Sequence, residues 1–224
     1  MFERITRREE ADLFIAWMAI SLSFAIIKIA PSGILGPINP VDPLVALIYF
    51  GISLLTVGIG FILHEMAHKF TAIRYGYWAE FRKDNSMLLV AVALASLVGF
   101  VFAAPGATVI YSNTADGRGL TREQNGKISA AGPVINLLLC IPFAALAVVG
   151  VNILPNGGNL LSVIGIFGVQ INAMIASFNM LPISILDGRK VLSWNIPVFA
   201  LLILASFGLL VGSFTFLIPL GMNF

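Results

Sequence analysis

A single cysteine, Cys140, stands in an apolar stretch of the chain, so neither a disulfide framework nor a cysteine metal cluster is available. Charge is scarce as well. Asp, Glu, Lys and Arg make up 11% of the 224 residues, where a soluble domain carries about 25%. The formal net charge is +2, and no long basic run or alternation of aromatic and basic residues is present. Nucleic acid is therefore not expected as a partner. Internal repeats and low-complexity tracts are missing, and histidine occurs only twice, at His64 and His68.

Apolar side chains take the remaining space. They make up 58% of the chain, and the mean hydropathy is +0.96. A core of 224 residues cannot enclose so much apolar surface, so a lipid bilayer is expected to solvate part of it. Apolar runs cover 13–30, 44–68, 87–104, 128–151, 160–182 and 196–220. At about 20 residues per span, this predicts an all-α polytopic membrane protein with about five to six transmembrane segments. It is expected to form one integral membrane domain over 1–224, with no appended soluble domain. Arg4, Arg7 and Arg8 resemble the start of a signal peptide, but acidic residues are mixed among them and the run 13–30 is too long. A retained first span is expected.

The linkers divide by charge. Residues 31–43 and the turn expected at 152–159 carry no Lys or Arg. If 87–104 does not cross, twelve of the 13 Lys and Arg fall on one side, Lys28 being the exception. The positive-inside rule makes that side the cytoplasm of a multi-pass cell-membrane protein. If 87–104 does cross, the basic residues split between both faces. A re-entrant segment is therefore predicted at 87–104, closed by Ala103-Ala104-Pro105-Gly106. Residues 77–86 and 106–112 are candidate short strands on the cytoplasmic side, and Thr121-Arg-Glu-Gln124 reads as a capping box.

Both histidines belong to one motif, His64-Glu65-Met66-Ala67-His68. On a helix, positions i and i+4 share a face, so both imidazoles point at one spot with Glu65 beside it. A zinc hydrolase needs such a set: two neutral nitrogen ligands, and a carboxylate to take a proton from the attacking water. Two satisfied core histidines with a charged neighbour are the plain alternative. The motif lies at the end of the unbroken apolar run from Leu44, where ionisable groups are costly and mark function. With Lys69 as the next charge, His64 is expected about 8 Å or more from the interface, at about 1.5 Å of rise per residue. One zinc ion per chain is expected. A third ligand must be a carboxylate or water, and Asp187 is the best candidate. It follows an apolar run ended by Pro182 and precedes Gly188, a context that could turn it back towards the histidines. An interfacial Asp capping a loop is the alternative.

Phe178 to Gly188 holds Asn179, Pro182, Asp187 and Gly188 in the spacing Asn-x-x-Pro-x-x-x-x-Asp-Gly. Together with the HExxH it resembles the signatures of the site-2 protease family of intramembrane zinc metalloproteases. Ala131-Gly132-Pro133 with Asn136 resembles a third, weaker element, and the likeness extends over a core of about 44–190. The resemblance implies His64, His68 and Asp187 as zinc ligands and Glu65 as general base. It implies that Asn179, and Asn172 with it, hold substrate backbone or the oxyanion; hydrogen bonding between helices is the alternative for both. It also implies transmembrane protein substrates, cut near the cytoplasmic face. Two features depart from the pattern: Arg189 follows the Asp-Gly pair where a second Gly is common, and 87–104 is long and apolar where many relatives have a short β-hairpin.

Two other functions compete. A zinc-binding membrane scaffold would keep the histidines and be indifferent to Glu65. A transporter would show repeated halves, and none is visible.

Overall fold

The computed structural model describes residues 5–36, 40, 42–101, 105–111, 119–153, 160–183 and 185–217. The chain runs α1 (Arg7–Ile29), α2 (Pro43–Arg74), β1 (Trp78–Lys83), α3 (Asn85–Val98), β2 (Gly106–Tyr111), α4 (Arg122–Ile153), α5 (Leu160–Asn179), α6 (Asp187–Trp194) and α7 (Ile196–Gly212), with a π-helical turn at Ser213–Leu217. Among the described residues five helices, α1, α2, α4, α5 and α7, are long and apolar enough to cross a membrane. The protein is thus a mostly helical, polytopic membrane protein. The expected turn at 152–159 lies outside the described residues from 154 onward, as do Ala103 and Ala104 of the expected closure.

The helix ends follow local chemistry. Thr6 caps α1 by accepting from the Glu9 N–H, and Asp42 caps α2, with Pro43 in the first turn. The capping box of α4 is formed: Thr121 Oγ1 accepts from the Gln124 N–H at 3.2 Å, and Gln124 Oε1 accepts from the Thr121 N–H at 3.0 Å. Residues 183–195, which lie between two of the apolar runs, contain α6. Its eight residues are polar on one side, and the apolar-run criterion passes over them.

The two strands pair antiparallel, Trp78 opposite Tyr111 through Lys83 opposite Gly106. This sheet sits at the end of the bundle that also carries the start of α1 and the end of α2. Phe81 is fully buried and meets Phe61 of α2 edge-on, with ring centroids 5.5 Å apart. Glu9 of α1 accepts the Phe81 N–H at 3.0 Å on Oε1 and pairs through Oε2 with Lys69 of α2. Both side chains of that pair are fully buried. Removing one partner from such a pair costs about 3–5 kcal/mol.

This pair corrects an expectation. Lys69 does not mark the interface, because its ammonium is enclosed against Glu9. Arg74 is the first exposed charge after the motif.

The segment 87–104 leaves from the sheet and comes back to it. Asp84 caps α3, and its N–H donates to the Pro105 carbonyl at 2.8 Å, so the chain enters and returns at one point. The far tip of α3 meets the loop between α1 and α2, where the Ile34 N–H donates to the Ser96 carbonyl at 2.8 Å. The segment therefore reaches in beside α1 and returns to the sheet, so it ends on the side where it began. Cysteines introduced at Ser32 and Gly119 in a Cys140→Ser background should label from opposite sides of a sealed vesicle. Labelling of both from the same side would overturn this topology.

Candidate metal centre

The site forms where α2, α4, α5 and the start of α6 converge. His64 and His68, one helical turn apart, lie with their Nε2 atoms 3.0 Å from each other. The chain reverses after Asn179. Pro182 cannot continue the helix, and backbone bonds from Leu181 to Phe178 and from Leu186 to Ile183 close the turn. Asp187 thereby opens α6 with Oδ2 at 3.1 Å from His68 Nε2 and 3.6 Å from His64 Nε2. A side chain at 188 would collide with the Met180 carbonyl, which explains the glycine after Asp187. Asp187 Oδ1 faces Lys190 Nζ at 3.6 Å.

The far sides of both rings fix their tautomers. His68 Nδ1 is 2.7 Å from the Ile128 carbonyl, which can only accept, so Nδ1 carries the proton. His64 Nδ1 is 2.5 Å from Asn136 Oδ1. The Asn136 amide cannot be the other way round, because its Nδ2 donates to the Gly60 carbonyl at 3.0 Å and to Asn172 Oδ1 at 2.8 Å. Both neutral imidazoles therefore turn an Nε2 lone pair to the same point, and the Asp187 carboxylate adds a third acceptor. Three buried acceptors, within 4.8 Å of one another, suit a cation. Donors about 2.0–2.1 Å from a tetrahedral zinc lie roughly 3.3 Å apart, close to the spacing of these three.

Gly132 closes the site from the α4 side. A Cβ there would strike Nε2 of both histidines. The next residue, Pro133, lies inside α4 and has no N–H for the Ser129 carbonyl, the neighbour of the Ile128 carbonyl that holds His68. The Gly-Pro element thus has a local reason: room for the rings, and a loosened helix beside them.

A cavity of about 460 Å³ opens onto this centre. Its lining includes His64, Glu65, His68 and Asp187, together with Asn179, Lys190 and the whole of 105–110 in and before β2. Glu65 is 7% exposed, and its Oε2 accepts from the Thr108 hydroxyl at 2.8 Å. Asn179 reaches the cavity, with Nδ2 donating to the Ile175 carbonyl of its own helix at 3.0 Å. Asn172 is placed elsewhere. It is fully buried behind His64, off the cavity lining, and its amide bonds Asn136 and the Gly168 carbonyl. It is joined to the site through Asn136, in the interhelical role. Thr108 had no signal in the sequence, since nothing local links it to residue 65.

A buried His-His-Asp donor set with a glutamate beside it, in a chain with five helices long and apolar enough to cross a membrane among the described residues, defines a membrane protein with a hydrolase-type metal centre. Comparison with known proteins agrees. The chain is 40% identical over 192 residues, 86% of its length, to a protein of Methanocaldococcus jannaschii named "Putative zinc metalloprotease", of which 87% is covered. The chain belongs to the family of that protein. No family model matches it, and no solved structure matches it.

Because Asn136 sets the His64 tautomer, Asn136→Ala should weaken zinc binding about 10–100-fold, the usual effect of losing such a supporting contact. Competition with a chelator measures this, with helix content as the control. Zinc affinity equal to wild type would show that the bond does not orient the ring.

Proposed function

We propose that the protein is an intramembrane zinc endopeptidase of the site-2 type, hydrolysing peptide bonds of membrane-spanning substrates near the cytoplasmic face. The observation that carries this reading is the position of Glu65. It stands next to three converging metal donors, in a cavity framed by apolar helices. A scaffold needs the donors but not a carboxylate beside them. The name of the relative from Methanocaldococcus jannaschii supports the metalloprotease part of this reading.

His64, His68 and Asp187 would hold the zinc. When bound, it polarises the scissile carbonyl and acidifies the attacking water. Glu65 takes the proton of that water at a carboxylate oxygen and passes it to the leaving amine, so that peptide and water become a carboxylate and an amine. Asn179, on the cavity wall, is suited to hold substrate backbone. A membrane-spanning helix must be unwound to be cut, and its freed backbone groups then need partners in a dry site. The outer edge of β2, unpaired among the described residues, is suited to offer them to an extended segment. By the positive-inside rule, the basic residues gathered at the sheet end support a cytoplasmic position for it.

Reconstituted with a single-span substrate, the wild-type protein should cleave. Glu65→Gln should retain zinc while losing about 100-fold or more in rate, the scale of general-base catalysis. Undiminished cleavage by Glu65→Gln would sink the mechanism. Zinc bound with no cleavage by either protein would instead make it a scaffold.

A further inference from the structure

Thr108 lies 43 residues from Glu65 in the chain, yet its hydroxyl donates to Glu65 Oε2 at 2.8 Å, and among the described residues no other side chain is bonded to that carboxylate. A threonine hydroxyl has one proton to give, and giving it to Oε2 leaves Oε1 without a side-chain partner among the described residues. The strand that presents Thr108 is well anchored. Its partner across the sheet is Phe81, which is enclosed under Phe61 and tied by its N–H to Glu9.

The same tie fixes the direction of the Thr108 backbone. Because the Phe81 N–H goes to Glu9, it does not go to β2. Phe81 and Thr108 are therefore a non-hydrogen-bonded pair, and the N–H and C=O of Thr108 turn to the outer edge of the sheet. One residue thus presents its hydroxyl to Glu65 and its backbone to whatever pairs with β2.

We propose that Thr108 is a positioning residue for Glu65. It holds one carboxylate oxygen so that the other faces the water to be deprotonated, and it sets the register of an edge-bound substrate strand against that carboxylate. This rests on the reading of the site as a peptidase. A hydroxyl that only satisfied a buried carboxylate would contribute to folding and leave turnover untouched once the protein had folded.

The test compares wild type, Thr108→Val and Thr108→Ser in the reconstituted assay, with kcat, KM and bound zinc measured for each and Glu65→Gln alongside. Thr108→Val keeps the shape and removes the hydroxyl. It should lower kcat about 10–100-fold, as expected for a misplaced reacting group, with KM and zinc content unchanged. Thr108→Ser should restore most of the loss. A second readout needs no activity. In zinc-free protein, the Tm losses of Thr108→Val and Glu65→Ala should sum to more than the loss of the double variant, because both remove one bond. Wild-type kcat in Thr108→Val, beside an inactive Glu65→Gln, would overturn the positioning role and leave the peptidase reading standing. Loss of zinc in Thr108→Val that Thr108→Ser does not repair, or additive Tm losses, would also overturn it. Absence of zinc-dependent cleavage by wild type would remove both.

Discussion

A polar atom among apolar helices must find a partner within the protein, and this requirement shapes the structure around its active centre. His64 bonds Asn136, Asn136 bonds Gly60 and Asn172, and Asn172 bonds Gly168. The chain of bonds crosses from α2 through α4 to α5 and leaves the imidazole one unshared lone pair. The same rule acts at the sheet. Glu9 and Lys69 neutralise each other in full burial, and the spare oxygen of Glu9 takes the Phe81 N–H. Two connected sets of bonds thus fix, respectively, the metal donors and the strand that faces them. What is left unsatisfied in the centre is a cluster of acceptors, which is what a cation requires.

Much of this was legible in the sequence, and for physical reasons. HExxH states its own geometry, because the helical repeat brings residues 64 and 68 together. The five spans follow from length and hydropathy alone. Charge parity required 87–104 to turn back, and the bond from Asp84 to Pro105 closes it at the sheet. Asp187 could be singled out because Pro182 had to end the helix before it. The short strands were visible at almost their final bounds.

The parts that were not legible depend on contacts between distant residues. Lys69 reads as an interfacial charge until Glu9 is seen opposite it, sixty positions earlier. Asn172 and Asn179 are seven residues apart on one helix, but one faces a neighbouring helix and the other the cavity. Seven residues bring them back to nearly the same face about two turns apart, so height along the helix decides that difference, and no local pattern records it. Thr108 is hidden in the same way, as one of six residues in a short strand.

The two metal-facing rings are held by different kinds of acceptor. His64 leans on a side chain, that of Asn136, while His68 leans on the main chain at Ile128. A side-chain contact can be removed by a single base change; a peptide carbonyl is present whatever residue occupies the position. One half of the donor pair is therefore exposed to genetic drift and the other is shielded from it. Variation among descendants of this sequence should be tolerated at 128, within the limits of packing, and resisted at 136.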